Sequence, residues 1–170
     1  MAESDILTSS GALDFLSALI DSRIEFLVVG ASAAVLQGVP LVTQDIDLWF
    51  KILPDPKLKT VLAKVGGIYV PSFGHNPPMF AGESVKFFDI VLTCQGLSSF
   101  ESEYSAALAI LVGKVTVPTL PLERVIHSKK AANRLKDIAA LPALEAAQKT
   151  ILSRRSPTLW SEFILRNKSE

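Results

Sequence analysis

Cysteine is nearly missing from this chain: Cys94 is the single one among 170 residues. That excludes an intramolecular disulfide framework and any multi-cysteine metal site, and it makes a reducing cytoplasm the expected compartment. Long hydrophobic runs are missing too. No segment approaches the ~18 apolar residues of a membrane span. The most apolar stretch, Leu27 to Pro40, is interrupted by Gly30, Gln37 and Gly38 and reads as core. Met1 to Ser10 carries Glu3 and Asp5 and has no basic start, so no secretory signal is expected. Glycine and proline are few, nine and ten, which excludes a collagen-like rod and a low-complexity linker. What is present is a 49% apolar composition, enough for one core in one domain, with room for a small helical appendage.

An excess of either charge is also missing, with 17 basic and 17 acidic side chains. The balance hides a split. Residues 1–121 carry a net −5 and residues 122–170 a net +5. An acidic body followed by a basic segment is compatible with a metal site beside a polyphosphate-binding surface, and equally with ordinary basic surface helices.

Helical and strand-like patterns alternate along the chain, which predicts an α/β or α+β layer architecture. Leu13, Phe15, Leu16, Leu19 and Ile20 recur at helical spacing, so a helix is predicted over 11–22 with Ser10 as its cap. Ile24 to Val29 reads as a strand stopped by Gly30, and Ala31 to Leu36 as a short helix. Thr43 to Phe50 is a second strand with Asp45, Asp47 and Trp49 on one face and Ile46, Leu48 and Phe50 on the other. A helix over 54–64, a short strand over 66–70, a loop over 71–82 and a long strand over 85–93 follow. Strands over 107–112 and 114–117 meet at Gly113. From Pro121 the pattern is helical, over 121–132, 134–151 and 157–166, with Pro142 and Pro157 as interruptions. The division expected is a core over 1–120 and a helical segment over 121–170.

Three carboxylates stand out by position. Asp45 and Asp47 project from one strand face, and Asp89 interrupts the apolar run Phe87-Phe88-Asp89-Ile90-Val91. If the two strands are neighbours, the three converge. Clustered carboxylates repel one another unless a cation neutralises them, and hard oxygen ligands suit magnesium or manganese. Alone, the Asp45/Asp47 pair also fits the solvent side of an edge strand, and Asp89 a buried aspartate held by a backbone amide. Upstream, Gly30-Ala31-Ser32 forms a strand-to-helix turn where a backbone can approach a phosphate and a helix N-terminus faces it. It is neither a Walker loop nor a dinucleotide fingerprint. His75, His127 and Cys94 are expected to be surface or packing residues.

Val28-Val29-Gly30-Ala31-Ser32 followed by Val42-Thr43-Gln44-Asp45-Ile46-Asp47-Leu48 resembles the signature of the nucleotidyltransferase superfamily, with Asp89 in Phe-Asp-Ile-Val-Leu as the third carboxylate. Val125-Ile126-His127-Ser128-Lys129-Lys130 and Arg134-Leu135-Lys136-Asp137 resemble a helical stretch of the bacterial minimal nucleotidyltransferases, which include abortive-infection and toxin–antitoxin enzymes. Two positions depart from the pattern: Ala31 replaces a second Gly or Ser, and Leu41 replaces an Arg.

The resemblance implies a mixed β-sheet flanked by helices and a magnesium-dependent transfer of a nucleoside monophosphate from a nucleoside triphosphate. The acceptor hydroxyl would belong to an RNA, a protein or a small molecule. It implies Asp45, Asp47 and Asp89 as metal ligands, with Asp89 also the base. Gly30 and Ser32 would hold phosphates, and Lys129, Lys130, Arg134 and Lys136 would neutralise the triphosphate or an acceptor RNA. In an unbroken helix Lys129 and Lys136 share a face. Toxin–antitoxin members add a partner protein from a neighbouring gene. The competing expectations are a non-catalytic module of the same fold, serving as antitoxin or partner subunit, and an unrelated ligand-binding α/β domain whose acidic pair is only a solvated face.

Overall fold

The computed structural model describes residues 9–153 and 156–168. Residues 1–8, most of the stretch read against a secretory signal, lie outside them. Helix α1 spans Ser10–Asp21. Its cap is Ser9 rather than Ser10, with the Ser9 hydroxyl accepting from the Ala12 amide at 3.4 Å. Strand β1 (Phe26–Val29) is buried at every position, and helix α2 (Gly30–Leu36) starts with no linker between them. Strand β2 (Ile46–Phe50) alternates buried and half-buried residues, as its period-2 pattern requires. Asp45 therefore lies in the bend before the strand, not in it.

Helix α3 (Leu58–Lys64) is followed by β3 (Ile68–Val70) and β4 (Met79–Ala81), which pair antiparallel. Strand β4 falls where a loop was predicted. Strand β5 (Phe88–Val91) is shorter than its apolar run suggests. Helix α4 (Phe100–Ser105), capped by Ser99, was not foreseen at all. Strands β6 (Leu108–Val112) and β7 (Val115–Thr119) form a hairpin, with Gly113 at φ +58° in its turn.

Helices α5 (Leu122–Ala132), α6 (Leu135–Leu152) and α7 (Trp160–Asn167) complete the described chain. The expected interruption at Pro142 does not occur: α6 runs through it. A proline there removes one helical hydrogen bond, to the carbonyl of Ile138, and Ile138 is exposed so water can replace the donor. No helix among the described residues is long and apolar enough to cross a membrane.

The main sheet runs β5-β2-β1-β7-β6. Pairs β1–β2 and β6–β7 are antiparallel, and β1–β7 and β2–β5 are parallel. One face of β2 presents Ile46, Leu48 and Phe50 to the core. There Phe15 of α1 meets Phe80 and Phe88 edge-on at 5.4 and 4.9 Å, and Phe50 meets Phe80 at 6.0 Å. The opposite face carries Asp47 and Trp49, with Trp49 edge-on to Phe100 of α4 at 5.3 Å. The sheet thus has a sealed apolar face and a second face left for chemistry.

Candidate functional site

Register brings the acidic residues together. In the parallel β2–β5 pair, Asp47 stands directly opposite Asp89. Asp45 enters from the bend before β2, which Thr43 shapes by donating its hydroxyl to the Asp45 carbonyl at 2.8 Å. All three line a cleft of about 850 Å³ whose other wall is the α5–α6 corner. Asp89 is exposed, so it is not the amide-satisfied buried aspartate that its apolar run allowed.

Asp47 has its carboxyl pushed up to about 6, first by burial and then by the charges of Asp89 and Asp45, with Lys129 and Lys136 pulling the other way. Asp89 moves up as well, through partial desolvation and Asp45, against Lys136. Among the described residues, no three His, Cys, Asp or Glu side chains stand close enough to enclose a metal as they are. In chemistry the three carboxylates offer the oxygen donors that a hard divalent cation takes, on a concave wall whose acids disfavour one another's ionisation.

Gly30 and Ser32 have nearer tasks than a phosphate. Gly30 has φ +62°, and a Cβ there would fall onto Asp47 Oδ2. Ser32 is fully buried. Its hydroxyl donates to the Val29 carbonyl at 2.8 Å and accepts from the Asp47 amide at 3.0 Å. The serine's only proton is therefore already committed, and its role here is to pin β2 to the start of α2. Ala31 and Leu41 both line the cleft.

The basic residues divide. Lys129, Arg134 and Lys136 line the cleft. Lys129 and Lys136 do not share a helix face, because Asn133 adopts a left-handed conformation (φ 51°) and ends α5 between them. The corner, not one helix, brings them to the same cleft. Lys130 is not among the lining residues, and its ammonium pairs with Glu145 at 2.6 Å. His75 and His127 are exposed and do not line the cleft. Cys94 does line it, but burial and the Asp47 and Glu103 charges push its thiol up to about 12, which leaves it protonated and unreactive.

Three residues that the sequence did not single out position this site. Gln37 donates to the Ala33 and Leu120 carbonyls at 2.8 and 2.9 Å and accepts from the Leu122 amide at 2.9 Å, so it clamps the end of α2 to the start of α5. Glu103 accepts from Arg124 at 2.6 and 3.0 Å and from the Ser98 amide at 3.0 Å, fixing α4 and the segment before it to α5. Asp137, fully buried, accepts from Lys129 and Arg134. Asp137 had two signals, its place in the Arg134-Leu135-Lys136-Asp137 stretch and an acid in the first turn of a helix three residues after a basic one.

No protein-family model matches the sequence, and no curated protein does. Solved structures do. The antibiotic-resistance factor ANT(2'')-Ia in solution superposes with a TM-score of 0.57 at 12% identity, covering 98% of this chain and 95% of that one. A nucleotidyltransferase-like antigenic protein from Paracoccidioides brasiliensis gives 0.53 at 18% identity, covering 85% and 77%. The chain has the nucleotidyltransferase fold. A crystal structure of ANT(2'')-Ia with adenylyl-2''-tobramycin gives 0.55 at 13% identity, covering 91% of this chain and 95% of that one. The superposition with ANT(2'')-Ia in solution thus spans nearly the whole length of both chains.

Proposed function

We propose that the protein transfers a nucleoside monophosphate from a nucleoside triphosphate to an acceptor hydroxyl. The observation that carries this reading is one cleft lined by Asp45, Asp47 and Asp89 on the sheet side and by Lys129, Arg134 and Lys136 on the α5–α6 side. Asp45, Asp47 and Asp89 would hold magnesium or manganese, which when bound supplies Lewis-acid stabilisation of the attacking and leaving oxygens. Asp89, exposed on the cleft wall, would take the proton of the attacking hydroxyl. Lys129, Arg134 and Lys136 would offset part of the triphosphate's charge, and the Gly30 turn lines the same cleft. Ser32, whose hydroxyl holds the Val29 carbonyl and the Asp47 amide and does not line the cleft, would support the Gly30 turn from behind.

The acceptor is open among RNA, protein and small molecules. Similarity to a fold seen with an adenylylated aminoglycoside favours testing small polyols early. A toxin–antitoxin role with a partner protein is one form of the same chemistry. The test is label transfer from each α-labelled nucleoside triphosphate, with magnesium or manganese, to total RNA, lysate protein or a panel of small hydroxylic compounds. Label on a discrete acceptor, lost in Asp45→Ala/Asp47→Ala, supports the reading. The committed Ser32 hydroxyl favours a second reading, a non-catalytic module of this fold. Magnesium-dependent nucleoside triphosphate binding by calorimetry would count against that second reading.

A further inference from the structure

Asp137 lines the cleft, yet its side chain has no exposed surface. It is not placed to touch a ligand, because both oxygens are taken. Oδ1 accepts from Lys129 Nζ at 3.0 Å and from an Arg134 terminal nitrogen at 3.4 Å, and Oδ2 accepts from Arg134 Nε at 2.6 Å. Lys129 sits in the last turn of α5, Arg134 is the N-cap of α6, and Asn133 makes the left-handed turn between them. The carboxylate therefore braces the corner from inside. Each cation keeps donors that Asp137 does not use: an ammonium has three N–H groups and a guanidinium five.

We propose that Asp137 is a positioning residue, which fixes the Lys129 ammonium and the Arg134 guanidinium on the α5–α6 wall so that a polyphosphate meets them already in place. This rests on the nucleotidyl-transfer reading, which supplies the triphosphate. Pre-set donors lose less freedom on binding than mobile ones, and a carboxylate that orients two of them strengthens binding although it carries the same sign of charge as the ligand. Net charge alone predicts the reverse: removing Asp137 adds one positive charge and should tighten polyanion binding.

The sign of one measurement separates the two. Calorimetry with inorganic tripolyphosphate and magnesium, at fixed ionic strength, would compare wild type, Asp137→Asn, Lys129→Ala and the double variant, each checked by thermal unfolding. Asp137→Asn is expected to bind about tenfold more weakly, the scale on which orienting groups act on the residues they hold. In the Lys129→Ala background the same change should cost much less. A folded Asp137→Asn protein that binds equally or more tightly overturns the proposal, as does a loss of thermal stability with unchanged affinity. If Asp137→Asn does not fold, Arg134→Lys decides, because it keeps the charge at an exposed side chain and removes the fork on Asp137. Weaker binding is expected there, and wild-type affinity overturns the proposal. Wild type failing to bind tripolyphosphate removes the nucleotidyl-transfer reading and this proposal with it. Binding by wild type that Asp137→Asn does not weaken removes the positioning role alone.

Discussion

The space where a Gly30 side chain would begin is the space the Asp47 carboxylate occupies. The glycine is required twice, once by its left-handed φ of +62° and once by the acid that leans across it. Gly30→Ala should therefore displace Asp47. The expected outcome is a loss of stability of about 1–3 kcal/mol together with loss of magnesium-dependent thermal stabilisation. Differential scanning with and without magnesium checks it. A variant that keeps its full magnesium response would show that Gly30 serves only the backbone.

Asp47 carries a cost that its site imposes. Its carboxyl titrates at about 6, above the ordinary 3.8, so the folded state holds a proton that the unfolded state has released between those values. Folding stability contributed by this group is therefore lost as pH rises from about 4 to about 6, the opposite of an ion-paired acid. Asp47→Asn should raise metal-free stability at pH 7 by about 1–3 kcal/mol while abolishing transfer. Urea unfolding across pH 4–8 tests this, and no gain at pH 7 would contradict it.

Glu103 behaves in the opposite way. Arg124 holds its carboxyl below the ordinary glutamate range, against the burial that opposes it, with help from the Ser98 amide. Its side chain is 4% exposed. The stability it confers is present above that range and lost as the solution is acidified through its lowered pKa. Glu103→Gln should cost about 2 kcal/mol at pH 7 by leaving Arg124 without its counter-charge, and the gap should close on acidification. Unfolding midpoints against pH report it.

Lys130 and Lys136 are six positions apart and should behave differently. Lys136 lines the cleft, and Lys130 pairs with Glu145 outside it. Lys136→Ala is expected to lower kcat/KM about tenfold or more, whereas Lys130→Ala should change it less than about twofold, as for other exposed ion pairs. Steady-state kinetics on the acceptor found by label transfer would decide, and equal losses would contradict the assignment.

The acidic wall was legible because a strand has period 2. Ile46, Leu48 and Phe50 had to turn inward, so Asp47 had to turn out, and register then set Asp89 beside it. Of the four basic residues expected beside the acidic wall, Lys129, Arg134 and Lys136 line the cleft and Lys130 does not, and the Lys129–Lys136 spacing assumes a continuous helix that Asn133 breaks. Helix α4 escaped notice because six residues, Phe-Glu-Ser-Glu-Tyr-Ser, are too few for an apolar period. Strand β4 sits in a segment of prolines and glycines and owes its form to pairing with β3. The roles of Gln37 and Glu103 depend on partners brought near by the fold, up to 85 positions away for Gln37, and no local pattern encodes such meetings, whereas the partners of Asp137 lie only three and eight positions away, across a turn that no periodicity announces.

The outer side of β6 is closed by a late part of the chain. Ala109 donates to the Thr158 carbonyl at 2.9 Å, and the Trp160 amide donates to the Ala107 carbonyl at 2.8 Å. Trp160 then buries its ring and gives its indole N–H to the Tyr104 hydroxyl at 2.8 Å. Without residues 158–160 the β6–β7 hairpin would present one raw margin, a row of backbone groups with no strand beside it. A margin of that kind is a template for another chain's strand, so a chain cut short before residue 158 should be the one that aggregates.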